Sequence, residues 1–359
     1  MGDSVTAQPG TTATVLAIDG GNSKTDFVLL TTAGDILARA RSGPFLPHLI
    51  GADDAVESFS TAIAEVMAVA GLSQIGHLAA YLANADLDIE TERIHAAIGR
   101  RAWAQTSVVE NDTFAVLRAG TERGFGVAVV CGAGINCVGV APDGGQVRFP
   151  ALGRITGDWG GGLGLAEETL WWSVRAEDGR GKPTILSRAV AQHFSCASAS
   201  SVAEQFHLGN LPAVRLHEIV QRLFDAATTG DAVALSIVRR QATEIATLVT
   251  TTVRRLGQQH SSIDVVLGGG ILAAGDEVLL GPLLQTLNND LPLAQLVFLQ
   301  DPPVMGAALL GLDQAWKLGA PCTGRTREAA LDRIRSQLRP THSATAAPSA
   351  IASEHGELP

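Results

Sequence analysis

The chain has 359 residues, of which 46% are hydrophobic and 17% are charged, and its formal net charge is −10 at pH 7. This length allows two domains with separate cores, while the acidic balance argues against general nucleic-acid binding. The apolar runs are too short or too interrupted to cross a membrane, and residues 1–12 lack the basic start and apolar core of a signal peptide.

The first predicted element is an apolar strand, Val15 to Ile18, which ends in Asp19 and turns through glycines into a second strand. Backbone N–H groups of a glycine turn can approach phosphate oxygens, and hydroxyl and ammonium side chains add donors. The turn reads Gly20-Gly21-Asn22-Ser23-Lys24-Thr25. Since an acid before such a turn can hold Mg²⁺ through water, the pattern predicts a site for a metal-bound polyphosphate, with a plain hairpin as the alternative.

Helices and strands alternate in the rest of the first half, which predicts a sheet covered by helices. The expected elements are a helix over 53–70, a strand over 77–82, a helix over 89–101 and a strand over 106–110. Asn111 and Asp112 then begin a short helix that runs to about Ala119. Asp112 is therefore either a base that accepts a proton in catalysis or the N-cap of this helix.

The second half opens with a repeat of the strand–turn–strand pattern, and a third glycine cluster follows the apolar run 263–267. The three turns are Gly20-Gly21, Gly132-Ala133-Gly134 and Gly268-Gly269-Gly270. Glycine turns that recur at strand ends predict two similar α/β halves that face one nucleotide.

A glycine-rich segment, 153–164, precedes the remaining helices. Asp158 and Trp159 lie among its glycines, which favours a substrate loop over a loop tip without a ligand. Helices are predicted over 165–176, 184–194, 200–207, 212–227, 231–256, 276–288 and 303–317, with strands over 263–267 and 295–299. Residues 1–12 and most of 319–359 are predicted to be disordered.

These parts suit the transfer of a phosphoryl group. That reaction needs Mg²⁺ and backbone donors to spread the charge of the transferred group, and a carboxylate to take the proton of the acceptor. Asp19, Asp112 and the glycine turns provide each of them.

Five segments resemble, in order, the signature segments of the N-acetylglucosamine kinase family, which is grouped with the benzoyl-CoA-reductase-type ATPases in the actin-like ATPase and sugar kinase superfamily. They are DGGNSKTD, NDTFAVLRAG, VVCGAGINCVGV, GRITGDWGGG and VVLGGGIL. The resemblance covers about residues 13–318 and implies an α/β fold. Two ribonuclease-H-like domains with mixed five-stranded sheets would close on ATP and an amino sugar. The implied domains are 13–119, to which the helix 303–317 returns, and 120–302.

The resemblance also implies roles for individual residues. Asp19 would organise Mg²⁺, and Asp112 would take the proton of the sugar 6-hydroxyl. The residues expected to bind ATP are Gly20, Gly21, Asn22, Ser23, Lys24, Thr25, Gly132, Ala133, Gly134, Gly268, Gly269 and Gly270. Those expected to line the sugar site are Asn111, Asp112, Asn136, Gly153 and Asp158.

Two positions on the substrate side depart from the family pattern. The stretch Phe45-Leu46-Pro47-His48 lacks an asparagine that commonly contacts the sugar, and Trp159 stands where family members carry glutamate. N-acetylglucosamine is the expected acceptor, and glucosamine, N-acetylmuramic acid or another amino sugar is left open.

Three other functions compete with a kinase: an ATPase that activates a partner enzyme through an iron–sulfur cluster, a sugar-responsive transcription factor, and a nucleotide-binding protein without catalysis. The four cysteines show no metal-binding spacing, and the 18 residues before Asp19 are too few for a helix-turn-helix. Asp19 and Asp112 are both present, which argues against a lost activity. We expect a cytoplasmic enzyme with free thiols, whose partner is a small-molecule amino sugar and not nucleic acid or a membrane; a homodimer is left open.

Overall fold

Two five-stranded sheets form the framework of the protein, whose computed structural model describes residues 13–322 and 324–339. The predicted leader, residues 1–12, and residues 340–359 of the predicted tail lie outside the described residues. The strands are β1 (Thr14–Gly20), β2 (Thr25–Thr31), β3 (Ile36–Ser42), β4 (Ile75–Leu82), β5 (Ala104–Asn111), β6 (Gly126–Cys131), β7 (Ile135–Val140), β8 (Gln146–Arg148), β9 (Ile263–Gly268) and β10 (Ala294–Phe298).

The helices of the first half are α1 (Pro47–Ile50), α2 (Ala52–Glu57), α3 (Ser60–Ala70), α4 (Asp88–Arg101) and α5 (Asp112–Gly120). Those that follow are α6 (Gly161–Glu177), α7 (Leu186–His193), α8 (Ala199–His207), α9 (Val220–Thr228), α10 (Ala232–Arg255), α11 (Gly270–Ala273), α12 (Glu277–Asp290), α13 (Pro303–Lys317) and α14 (Arg327–Leu338). Two 3₁₀ helices span Gly153–Thr156 and Ala213–Ile219. Among the helices of the described residues, none has both the length and the apolar character needed to span a bilayer.

The first sheet has the strand order β3-β2-β1-β4-β5. Strands β1, β2 and β3 form an antiparallel meander, and β4 and β5 extend the sheet from β1 as parallel strands. The second sheet repeats this arrangement, because β6, β7 and β8 form a meander and β9 and β10 extend it from β6 in parallel. The predicted repeat and the predicted α/β architecture of two mixed five-stranded sheets are confirmed.

Each sheet buries one of its faces under helices of its own half. Leu16 and Ile18 of β1 belong to a buried cluster that includes Ile63 of α3. Val127 of β6 belongs to a separate cluster with Val249 of the long helix α10. Because side chains alternate along a strand, the other residues of β1 and β6 face the opposite side of each sheet.

Two helices, α5 and α13, fill the space between those opposite faces. Helix α5 follows β5 yet packs mainly on α13 and, among the strands, on β6, and α13 follows β10 yet packs on β1 and β4. Val15 and Ala17 of β1 share one buried cluster with Phe114 of α5 and Leu309 of α13. Helix α13 has the predicted bounds and contacts the first sheet, whereas the domain boundaries at 119/120 and 302/303 stay predictions.

A further helix, α14, lies inside the segment that the sequence predicts to be largely disordered, so that prediction is wrong for residues 327–338. Ala330, Ile334 and Leu338 recur every fourth residue and are buried in the same cluster as α13. Gln337 donates to the carbonyl oxygen of Gly34 over 3.0 Å, and Arg333 pairs with Asp35 at 2.6 Å. The narrow apolar stripe therefore seats α14 on the β2–β3 hairpin, although most of its residues are polar.

Two of the predicted helices are also interrupted. The helix expected over 53–70 divides at Ser58, because Phe59 turns inward and packs against the rings of Phe27 and Phe45. The first part of the helix expected over 212–227 is a 3₁₀ helix.

Candidate active site

The first glycine turn joins β1 to β2 and is closed by a hydrogen bond from the N–H of Gly21 to the carbonyl oxygen of Lys24, 2.9 Å. A Cβ on Gly20 would lie 2.6 Å from a methyl group of Leu82, so close packing also requires glycine there. The side chains of Asn22, Ser23 and Lys24 are exposed. They therefore lie at the protein surface, at the end of β1 where a phosphate group would approach.

Three of the four predicted phosphate-binding side chains of this turn have partners within the protein, namely those of Asn22, Lys24 and Thr25. The ammonium group of Lys24 pairs with the carboxylate of Asp26, which also binds Arg41. The buried hydroxyl of Thr25 donates to the carbonyl oxygen of Gly43 over 3.0 Å. Thr25 thus holds the turn in place, and Lys24 would have to leave Asp26 to reach a phosphate.

Asp19 ends β1 on the same face as Val15 and Ala17, which places it on the side of the sheet that carries α13. Its pKa is raised to about 7, first by burial and then by the negative charges of Asp112 and Asp26. An excess of negative charge of this kind is relieved by a cation.

Asp112 is the first residue of α5, and its neighbour Asn111 is the N-cap, because Asn111 Oδ1 accepts the N–H of Thr113 over 3.1 Å. The cap that the sequence allowed for Asp112 is therefore provided by Asn111. Burial raises the pKa of Asp112 to about 6. The backbone N–H groups of Thr113 and Asp112 oppose this shift, because they favour the ionised carboxylate. A partly buried carboxylate with a pKa near neutrality suits the transfer of a proton.

Asn111 and Asn136, which come from different sheets, meet at a third side chain, the carboxylate of Asp86. Asn111 Nδ2 donates to Asp86 Oδ1 over 2.9 Å, and Asn136 Nδ2 donates to the same oxygen over 3.2 Å. The pKa of Asp86 is raised to about 7 by burial and by the charge of Asp112. The structure thus places two of the predicted sugar-site residues together with an acid that the sequence analysis did not select.

Asp86 lies in the loop between β4 and α4, and this loop also contacts the second sheet. The guanidinium group of Arg148 in β8 donates to the carbonyl oxygens of Ala85 and Asp86, each over 3.0 Å. The signal that could have identified Asp86 is its place after a parallel strand. The carboxyl ends of β1, β4 and β5 adjoin in the sheet, and each is followed by or ends in an acid of this region.

The second and third glycine turns pack together around Cys131. The N–H of Gly162 donates to the carbonyl oxygen of Gly132 over 2.7 Å, and a Cβ on Gly161 would lie 2.5 Å from the backbone of Gly134. Gly269 has φ +93°, and a Cβ there would overlap the backbone of Cys131. Part of the glycine-rich segment 153–164 therefore serves to support the turn 132–134.

A Cβ on Gly268 would lie 2.9 Å from Val116 of α5, and Gly270 begins α11. The backbone of Ala133 is also held, since its carbonyl oxygen accepts the N–H of Leu163 over 2.9 Å. The backbone of both turns is thus closely packed against neighbouring segments. Gly132 and Gly134 are exceptions, because a Cβ on either residue would have no atom within 4 Å.

Asp158 closes its own loop. Its carboxylate accepts the N–H of Gly153 over 3.0 Å and the hydroxyl of Thr156 over 2.7 Å. Within the described residues it makes no hydrogen bond to Asp86, Asn111 or Asn136. Gly153 and Asp158 therefore contact each other but not the amide cluster, which consists of Asp86, Asn111 and Asn136.

Among the residues that depart from the family pattern, Trp159 and Phe45 are buried, whereas His48 is exposed. The guanidinium group of Arg240 lies 4.2 Å from the ring centre of Trp159. Trp159 also lines a cavity of about 720 Å³ between α6 and α10. Phe45 has no exposure, and its carbonyl oxygen accepts the side-chain amide of Asn84 over 3.0 Å. Asn84 also donates to Asn22 Oδ1 over 2.8 Å, so an amide does stand beside the first turn.

The residues around Asp19 fit a magnesium ion that is held mainly by water and phosphate. No group of three or more His, Cys, Asp or Glu side chains with metal-binding geometry occurs among residues 13–322 and 324–339. Mg²⁺ in phosphoryl-transfer sites is bound through about one or two carboxylates together with substrate phosphates and waters. A single acid at the mouth of a glycine turn, with its pKa raised by burial and by neighbouring negative charge, matches that donor set.

A protein-family model and two related kinases match this chain over most of its length. Residues 16–311 match the BadF/BadG/BcrA/BcrD ATPase family. An N-acetylmuramic acid/N-acetylglucosamine kinase of Clostridium acetobutylicum is 22% identical over 298 residues, which cover 82% of this chain and 97% of that protein. An N-acetyl-D-glucosamine kinase of Dictyostelium discoideum is 23% identical over 312 residues, or 83% of this chain and 97% of that protein.

Among solved structures, a protein of Chromobacterium violaceum that is provisionally named an N-acetylglucosamine kinase superposes with a TM-score of 0.66. It is 20% identical in sequence, and the match covers 83% of this chain and 99% of that one. At this identity the likeness establishes the fold alone, and it agrees with the predicted actin-like architecture of two mixed five-stranded sheets.

Proposed function

The chain belongs to the BadF/BadG/BcrA/BcrD ATPase family, and we propose that it is an ATP-dependent kinase that phosphorylates the 6-hydroxyl of an amino sugar, with N-acetylglucosamine as the first candidate. The names of the two related kinases support this class of acceptor. The observation that carries the proposal is the position of Asp112. Its carboxylate has a pKa of about 6, and its negative charge contributes to the raised pKa of both Asp19 and Asp86.

Asp112 would act as the base of the reaction. Its carboxylate takes the proton of the acceptor hydroxyl while that oxygen forms a bond to the γ-phosphorus of ATP. The bond between the γ-phosphorus and the β,γ-bridging oxygen breaks, and ADP leaves with the electron pair. The proton stays on Asp112 until solvent removes it, so the step balances and the base is regenerated.

The remaining residues would bind and shield the reactants. Asp19 would hold Mg²⁺, which when bound neutralises charge on the phosphate oxygens. The turns at 20–25 and 132–134 would present backbone N–H groups to the phosphates, and the turn at 268–270 would contact the adenosine. Asn111 and Asn136 would donate to the sugar. Closure of the two halves would exclude water and so limit the hydrolysis of ATP.

An ATPase that activates a partner enzyme through an iron–sulfur cluster is the competing function within this family. Such a cluster needs thiolate ligands. Cys131 and Cys137 are buried, and burial raises the pKa of each thiol to about 12, so both hold their protons. This chemistry favours the kinase. The absence of iron in protein purified without oxygen would agree with it, and stoichiometric iron would favour the activator.

A cytoplasmic location is part of the proposal, because all four cysteines are free thiols. A homodimer stays a prediction that sedimentation equilibrium can test. Fractionation of cells that express the tagged chain would test the location.

The test of the function is the release of ADP from Mg²⁺-ATP in the presence of single sugars: N-acetylglucosamine, glucosamine, N-acetylmuramic acid, N-acetylmannosamine and glucose. We expect release to depend on one amino sugar, and ¹³C–³¹P coupling in the product to place the phosphate on carbon 6. ADP release that is the same with every sugar and without any would contradict the kinase.

A further inference from the structure

The carboxylate of Asp86 has one occupied and one free oxygen. Oδ1 accepts both amide groups, from Asn111 at 2.9 Å and from Asn136 at 3.2 Å. Oδ2 accepts no hydrogen bond from any residue that the structure describes, and Asp86 is only half-buried. An acceptor atom that stays open beside a cluster of predicted sugar ligands is available to a ligand.

The surroundings of Asp86 are unfavourable for a carboxylate that has only a structural task. Burial and the charges of Asp112 and Glu90 disfavour its ionised form, while Arg148 and the amide of Asn111 favour it. Acids that are held together against their mutual repulsion are concentrated at functional sites. Asp86 therefore has the electrostatic character of a site residue, as Asp112 does.

A purely structural role makes a different prediction from a ligand-binding role. If Asp86 only tied Asn111 to Asn136, an asparagine in its place would keep a carbonyl oxygen for the same two amides. A hydroxyl that donates to a carboxylate, however, would lose a charge-assisted hydrogen bond, which is stronger than a neutral one. Asp86→Asn thus separates the two roles.

Resting on the kinase function proposed above, we propose that Asp86 is an acceptor-binding residue. Its Oδ2 accepts a hydrogen bond from a sugar hydroxyl other than the one that Asp112 deprotonates, while Oδ1 keeps Asn111 and Asn136 in place. The residue thereby contributes from the β4–α4 loop to the same sugar that the two amides contact. The group it recognises is a neutral hydroxyl or an ammonium group, since a carboxylate would be repelled by Asp86 and Asp112 together.

The experiment compares Asp86→Asn and Asp86→Ala with the control Asp88→Asn. Asp88 lies two residues further along, has an exposed side chain and is 3.9 Å from Arg148. We expect both Asp86 variants to raise the KM for N-acetylglucosamine by about 10–100-fold, as for the loss of one hydrogen bond to a charged group. In Asp86→Asn the KM for ATP should stay close to wild type and the melting temperature should not fall. In Asp88→Asn the KM for the sugar, the KM for ATP and the melting temperature should all stay close to wild type.

Monodeoxy sugars identify the hydroxyl. The 3-deoxy and 4-deoxy analogues of N-acetylglucosamine are measured with wild type and with Asp86→Ala in a double-mutant cycle. We expect one analogue to lose kcat/KM strongly with wild type and to lose little more with Asp86→Ala, because the bond is already absent. Losses of kcat/KM that multiply for both analogues, or an unchanged sugar KM in both Asp86 variants, would overturn the assignment of Asp86 but not the kinase function. Wild-type protein that neither binds nor phosphorylates any amino sugar of the panel would overturn the kinase function and this assignment with it.

Discussion

Gly306 of α13 lies directly against Ala115 of α5, so closely that a Cβ at position 306 would overlap the carbonyl oxygen of Ala115. The two helices can approach to this distance only because both residues are small. Since α5 packs on the second sheet and α13 on the first, their contact sets how the two sheets face each other. Gly306 is thus important for the geometry of the site although it is remote in sequence from Asp112, which lies three residues before Ala115 in α5.

Gly306→Ala is expected to destabilise the protein by about 3 kcal/mol, because a methyl group must displace backbone that has no room to move. Urea denaturation followed by circular dichroism measures the loss. The matched control is Gly99→Ala in α4, where a Cβ meets nothing within 4 Å. That exchange should raise the free energy of unfolding by about 0.5–1 kcal/mol, because alanine favours the helix more than glycine does. Equal effects of the two exchanges would contradict the close crossing.

Asp112→Asn is expected to lower kcat by about 10²–10⁴-fold, the usual contribution of a positioned base. The amide keeps the size of the side chain, so binding of ATP should persist in calorimetric titrations. Asp290→Asn at the exposed end of α12 serves as the control and should leave both values unchanged. An Asp112→Asn variant that keeps its turnover would remove the base from the mechanism.

The same base predicts the acidic limb of the pH profile. The pKa of Asp112 in the unliganded protein is raised to about 6, so kcat/KM for the sugar should fall as the pH decreases through that value and the carboxylate takes up a proton. Initial rates between pH 5 and pH 8 at sugar concentrations well below KM test this. A wild-type rate that stays constant down to pH 5 would count against Asp112 as the base.

Asp19→Asn is expected to raise the concentration of Mg²⁺ that gives half-maximal rate, because the amide is a weaker ligand for a hard cation than a carboxylate. Binding of the sugar alone should be unaffected, since Asp19 lies at the phosphate turn and not in the amide cluster. A titration of the rate with Mg²⁺ at fixed ATP decides the matter. An unchanged half-saturation value would assign the metal to other residues.

Asp86 should also destabilise the folded protein at high pH. Its pKa is raised from 3.8 to about 7 on folding, so the native state binds more protons than the unfolded state in that interval. Stability therefore falls as the pH rises through the interval, by on the order of 2 kcal/mol after allowance for solvent screening. Asp86→Asn should consequently raise the free energy of unfolding more at pH 8 than at pH 4.5, and Asp88→Asn should not. Equal gains at both pH values would argue against the raised pKa.

The sequence was sufficient for the parts of the fold that local patterns encode. A strand that ends in a glycine turn and returns as a second strand can be recognised within about twenty residues, and its recurrence after Gly126 predicted the second sheet. The role of Asp86 could not be predicted from a local sequence pattern. Its partners Asn111 and Asn136 lie 25 and 50 positions away, and only the pairing of β4 with β5 and the approach of β7 bring them together.

Glycine content is too unspecific a signal to predict a substrate loop at 153–164. Gly161 and Gly162 are glycines because the backbone of the turn 132–134 approaches them, and a ligand is not needed to explain them. A sequence shows that something comes close to a glycine, but not whether it is a substrate or another part of the chain. Helix α14 was missed for a related reason, since three apolar residues at four-residue spacing are a faint pattern among many charges.

Helix α14 brings the end of the described chain back to its beginning. Gly34, in the first hairpin, has φ +82°, and the backbone of Ala330 occupies the place where a side chain at residue 34 would stand. During translation, β1, β2 and β3 therefore emerge from the ribosome roughly 300 residues before their covering helices exist, a delay of the order of 15–60 s at the usual rates of elongation. A strand meander without its cover is open to aggregation for that time, so we expect nascent chains that stop before α13 to be the species that chaperones bind.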